Sequence, residues 1–115
     1  MTSSQPLEVL PEAIRTYLAA HQARDIDLAT SSYTPGATVV DEGRAYRGHD
    51  EIRDWLGRSA SEYTYTIELT GAQEIDDDHF VAIHHLEGDF PGGVVDLRFQ
   101  FTLDGGRIAA LTIEP

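Results

Sequence analysis

From Tyr63 to Glu114 the chain alternates apolar and polar residues with a period of two, which is the signature of half-buried strands in a sheet. Tyr63, Tyr65, Ile67 and Leu69 share one side of the first segment, and Thr64, Thr66, Glu68 and Thr70 the other. Gly71 predicts a bend or bulge in it. Asp76-Asp77-Asp78 reads as a polar turn, Phe80 to Glu87 as the next strand, and Gly88 to Gly93 as a loop. Val94 to Leu103 and Arg107 to Glu114 follow, joined by the hairpin turn Asp104-Gly105-Gly106.

The front half has a different period. Leu7, Leu10, Ile14, Tyr17, Leu18 and His21 recur at three- and four-residue steps, predicting a helix over Pro6–Ala23 behind a frayed tail at 1–5. Asp25 can cap a second helix over Ile26–Ser32, and Thr34-Pro35-Gly36 ends it as a turn. Short strands Ala37–Asp41 and Arg44–Arg47 flank the tight pair Glu42-Gly43. A third helix runs from Gly48 to about Ser59, with acidic residues in its first turn and a buried face of Ile52, Trp55 and Leu56. Early helices and late antiparallel strands predict one α+β domain over 6–115.

Charge and residue usage remove several functions. Twenty acidic residues against eight arginines, with no lysine, give a net charge of −12. That surface repels phosphate backbones and anionic lipid, so neither nucleic acid nor membrane is an expected partner. There is no cysteine, hence no disulfide, no thiolate metal site and no thiol nucleophile. The first residues lack a basic segment followed by an apolar run, and no apolar stretch could span a bilayer, so a cytoplasmic location is expected. The five histidines have no metal spacing, and Asp76-Asp77-Asp78 lacks the rest of a calcium loop, so no metal or other cofactor is expected.

Three stretches carry a resemblance. Tyr17-Leu18-Ala19-Ala20-His21 followed by Asp25-Ile26-Asp27 is the first, and Tyr33 through Asp41 is the second. Tyr46-Arg47-Gly48-His49-Asp50-Glu51-Ile52-Arg53-Asp54-Trp55-Leu56 is the third. In these, and in its order of elements, the chain resembles the nuclear transport factor 2-like superfamily, which includes ketosteroid isomerases and SnoaL-like polyketide cyclases. The resemblance implies a cone: three N-terminal helices packed on a curved, mainly antiparallel sheet of about six strands, wrapped around one pocket. It does not imply one function, because the fold hosts catalysis, binding and assembly alike.

Within it, Asp41 and Tyr17 resemble, in their spacing, the general base and the oxyanion-binding tyrosine of ketosteroid isomerases. A carboxylate in an apolar pocket can take a proton from carbon next to a carbonyl, and a phenol can hydrogen-bond the enolate oxygen. Asp41 read plainly is an exposed hairpin residue, and Tyr17 a core tyrosine. Those isomerases also use a protonated acid on a late strand. Here Phe99 falls at that position and cannot donate, while Asp96 has the opposite strand parity. His84 shares parity with Phe80, Ala82 and Leu86, which face the pocket in the resemblance, so it is either a substitute donor or a satisfied core histidine. Tyr33, Trp55, Tyr63, Tyr65, Phe80, Leu86, Phe99 and Phe101 are the expected pocket lining, each equally readable as plain core.

These readings predict a protein of SnoaL-like type that binds a small apolar or carbonyl-bearing molecule, as an isomerase or cyclase acting by proton transfer. A non-catalytic binding module and an assembly domain are the alternatives. Val81, Ile83, His85, Asp96, Arg98, Gln100 and Thr102 are expected on an outer sheet face through which two copies pack as a homodimer.

Overall fold

The computed structural model describes residues 9–62 and 65–115, without the side chains of 59–62. The expected tail, the opening of the first helix and Tyr63 lie partly or wholly outside the described residues. Helix α1 spans Glu12–Gln22, α2 Ile26–Ser31 and α3 Gly48–Glu62. The strands are β1 (Tyr33–Asp41), β2 (Arg44–Arg47), β3 (Tyr65–Asp76), β4 (His79–Gly88), β5 (Val94–Asp104) and β6 (Arg107–Glu114). The six form one open sheet in the order β2-β1-β6-β5-β4-β3, antiparallel throughout except where β1 meets β6. The α+β architecture is as expected, but the helices are not all N-terminal, because α3 lies between β2 and β3.

Among the described residues the expected helix is interrupted at Leu10 and Pro11, and α1 opens at Glu12. Pro11 sits at the N-cap with extended backbone, and a proline disfavours helix in the residue before it. Helix α2 is capped as the sequence suggests, Leu28 N–H donating to Asp25 Oδ1 at 3.1 Å. Arg53 and Asp27 form an ion pair that ties α3 to α2.

The turn expected at Thr34-Pro35-Gly36 is instead an irregular stretch inside β1. Tyr33 already pairs with Ile108 of β6, and the register then slips before resuming at Thr38. Pro35 and Gly36 are exposed where the ladder is broken, which suits a residue that has no N–H to give. A ring nitrogen of His49 lies 3.0 Å from the Tyr33 carbonyl oxygen and steadies this break from α3.

Glu42 and Gly43 both have positive φ, 54° and 76°, the mirror-image turn that matches strand twist. Strand β3 carries the bulge expected at Gly71, its register with β4 shifting between Leu69 and Gly71. One face of the sheet is buried against the helices. Ala37, Val39, Phe80, Ala82, Phe99, Phe101, Ile108 and Leu111 meet Ile14, Tyr17, Ile52, Trp55 and Leu56 in a single core. Among the described residues, no helix is long and apolar enough to cross a membrane.

Candidate functional site

Asp41 ends β1 on the same side as buried Ala37 and Val39, so alternation turns its carboxylate toward the core. Trp55 is delivered from the other side by α3, whose Ile52, Trp55 and Leu56 are buried. The indole N–H donates to Asp41 Oδ2 at 3.0 Å. Asp41 is only half-buried; burial chiefly raises the Tyr17 and Tyr65 phenols, and the Asp41 charge adds to both shifts. Asp41 is thus not the fully exposed hairpin residue of the plain reading.

Tyr17 on α1 and Tyr33 on β1 are both fully buried, and their rings meet edge-on at 5.1 Å. Neither hydroxyl meets a described partner with full hydrogen-bond geometry. Each is nevertheless close enough to the other to act as a weak hydrogen-bond partner. Burial raises the pKa of Tyr17 far above the usual phenol range; the neighbouring Tyr33 hydroxyl offsets part of this, while Asp41 and Tyr65 add to it. Burial also raises Tyr33, with Tyr17 adding to it. Both are therefore neutral donors at any physiological pH. An unsatisfied buried hydroxyl costs about 1–3 kcal/mol, and even when one phenol donates to the other the pair leaves one donor proton to place.

His84 extends this demand. It is 4% exposed, packs on Phe99 with ring centroids 4.4 Å apart, and its Nδ1 is unpartnered among the described residues. Burial first, and nearby His21 second, lower its pKa to about 4, so the ring is neutral near pH 7. His21 is a site residue to which the sequence reading gave no role. It stacks between Tyr17, at 5.9 Å, and Trp55, at 6.4 Å, and burial lowers its pKa too. The signal was its place one helical turn beyond Tyr17 on the same face.

Phe80, Leu86, Phe99 and Phe101 point from β4 and β5 to the inner side, as their parity predicts. Tyr65 is half-buried on β3, and Tyr63 lies outside the described residues. Asp96 faces the opposite side, where its carboxylate accepts from His85 Nδ1 at 2.6 Å. Phe99, where the resemblance expects a second acid donor, faces the buried side, and Asp96 does not share that face. Two described grooves, one of about 400 Å³ between β2 and α3 and one of about 10 Å³ beside His21, leave Asp41, Tyr17 and His84 out of their walls. No cluster of three or more potential metal ligands occurs among the described residues. The chemistry on hand is one carboxylate, four neutral rings able to hydrogen-bond (Tyr17, Tyr33, His21 and His84), and an aromatic surround.

The family model of the SnoaL-like domain matches residues 14–111. A candidate polyketide cyclase from Sinorhizobium meliloti is similar over 96% of this chain and 100% of its own, with 31% identity and a TM-score of 0.89. A Catenulispora acidiphila protein with a ketosteroid isomerase-like fold, solved with trimethylamine, has 19% identity and a TM-score of 0.79 over 91% of this chain and 85% of its own. A Mycobacterium tuberculosis protein solved with estradiol-17β-hemisuccinate has 14% identity and a TM-score of 0.75 over 97% and 95% of the two chains. No protein of curated function matches.

Proposed function

The chain belongs to the family of SnoaL-like domains, and on that premise we propose that it binds a small, largely apolar, carbonyl-bearing molecule and moves a proton next to the carbonyl. The observation that carries this reading is a set of buried polar atoms, the Tyr17–Tyr33 phenol pair and His84 Nδ1, that lack full hydrogen-bond partners among the described residues, with Tyr17 close enough to Asp41 to feel its charge. A neutral ligand oxygen can accept a hydrogen bond from the phenol proton that the pair leaves unplaced. An anionic ligand would meet the negative charge of Asp41.

In this reading Asp41 is the base. Its carboxylate takes the proton from the carbon next to the carbonyl, and the electrons of that C–H bond pass to the carbonyl oxygen as an enolate. Trp55 N–H holds the carboxylate in place through Oδ2. Tyr17 donates to the enolate oxygen. Its raised pKa keeps it a hydrogen-bond donor and prevents full transfer of its own proton. His84, neutral, offers one further ring N–H. Delivery of the proton by Asp41 to a different carbon, conjugated with the enolate, then completes an isomerisation; alternatively the enolate carbon attacks a second carbonyl, whose oxygen takes the proton from Asp41 as the ring closes.

The presence of Phe99 in place of a second acid supports a rival reading, a module that binds the same ligands without turnover. Titration with a cyclic enone, followed by fluorescence of Trp55, tests the shared part. Tyr17→Phe should weaken binding by roughly tenfold, the worth of one buried hydrogen bond. Unchanged affinity in that variant would remove Tyr17 from the site.

A further inference from the structure

The larger groove has no part in the interior site. It lies between edge strand β2 and helix α3, is open to solvent, and has a volume of about 400 Å³. That is within the range of small-molecule sites. Its walls are Arg44, Ala45 and Tyr46 from β2 and Glu51, Asp54 and Arg58 from α3. Among the described residues, two positive and two negative side chains therefore line one hollow.

The local charge is unusual for this molecule. Arg44, Arg47, Arg53 and Arg58 are four of the eight basic residues in a chain of net charge −12. The Arg58 guanidinium rests 5.5 Å from the Tyr46 ring centroid, which sets the plane of its donors in advance. Glu51 uses Oε1 to accept from Arg47 N–H at 2.9 Å, leaving its other oxygen for a ligand. A simple anion entering here would cross the repulsive field of the whole chain and meet Glu51 and Asp54. A simple cation would meet Arg44 and Arg58. A molecule carrying one charge of each sign is the complement.

We infer that this groove binds a small zwitterion of the α-amino acid class, its carboxylate toward Arg44 and Arg58 and its ammonium toward Glu51 and Asp54. Tyr46 lies 6.1 Å, centroid to centroid, from Trp55, the sole tryptophan, so occupancy is readable as a change in tryptophan emission.

The test is calorimetric and fluorimetric titration of the whole chain with L-leucine, 4-methylpentanoate and 3-methylbutylamine. Leucine should bind, and each analogue, lacking one charge, should bind at least roughly tenfold more weakly. Arg44→Gln and Asp54→Asn should each weaken leucine by a similar factor. Arg107→Gln, which removes the same charge at the β5–β6 turn, should not. Far-ultraviolet circular dichroism of each variant separates a lost site from a lost fold. Equal affinity for leucine and 4-methylpentanoate overturns the assignment, as does wild-type affinity in folded Arg44→Gln and Asp54→Asn. No heat or emission change with leucine up to about 10 mM overturns it as well.

Discussion

Trp55 both fills the core and holds the Asp41 carboxylate, and two substitutions separate these roles. Trp55→Ala should cost about 3–5 kcal/mol for the void it opens. Trp55→Phe keeps most of the volume and should cost about 1–2 kcal/mol, chiefly for the lost hydrogen bond to a half-buried charge. Thermal melts measure the cost, and binding of a cyclic enone reports on Asp41. A large stability loss with unchanged affinity in both variants would make Trp55 plain core. His84 gives a pH signature. Its pKa falls from about 6.5 unfolded to about 4 folded, so between those values the unfolded chain binds the proton and the folded chain does not. Stability should therefore fall by up to about 3 kcal/mol as the pH drops through that window. His21 acts in the same direction. Exposed His85, raised first by Asp96 and then by Glu87, acts in the opposite one, its share being lost as pH rises through its folded pKa. Urea unfolding of wild type and His84→Gln between pH 4 and 7 should show a flatter dependence in the variant. Parallel curves would contradict it. At this scale strand parity made the inward facing of His84 legible, and Asp41 was singled out by its spacing from Tyr17 in the resemblance. The indole bond to Asp41 and the packing of His21 were not, because both join residues brought together only by tertiary structure.

Elements were legible where pattern and turn chemistry agreed. Strands β4, β5 and β6 begin and end within a residue of expectation, since alternation and glycine turns mark the same places. Pro11 and Pro35 were misread for related reasons. Pro11 was counted inside a periodic helix although it disfavours helix in the residue before it, and Pro35 was read as a turn when pairing with β6 carries the strand past it. Two glycines separate local conformation from space. Gly48 opens α3 with φ of +78°, so Gly48→Ala should cost about 1–2 kcal/mol through backbone strain alone. At Gly71 an added Cβ would meet Ile83 at an ordinary 3.6 Å and φ is not positive, so Gly71→Ala should be within about 0.5 kcal/mol of neutral. Urea midpoints for the pair check this, and a reversed order would contradict the geometry.

At the scale of the molecule, the outer face of β4 and β5 mixes exposed Ile83 with the His85–Asp96–Glu87 cluster, and among the described residues no helix lies over it. We propose that two copies pack there. Sedimentation at micromolar concentration should give twice the chain mass, and Ile83→Glu should return it to the monomer. A monomeric wild type would remove the proposal. The fold was legible because a period change from helix to strand and a full set of turn residues span the chain. The function was less so, because unpartnered hydroxyls leave no trace in a one-dimensional pattern. Proton–deuterium exchange into a panel of enolisable cyclic ketones, wild type against Asp41→Asn, bears most directly on the proposed chemistry. Asparagine keeps an acceptor for the indole N–H but removes the base, so exchange should fall by about a hundredfold or more while the fold survives. Equal exchange by the two proteins would show that Asp41 is not the base, and exchange by neither would leave a binding protein in place of an enzyme.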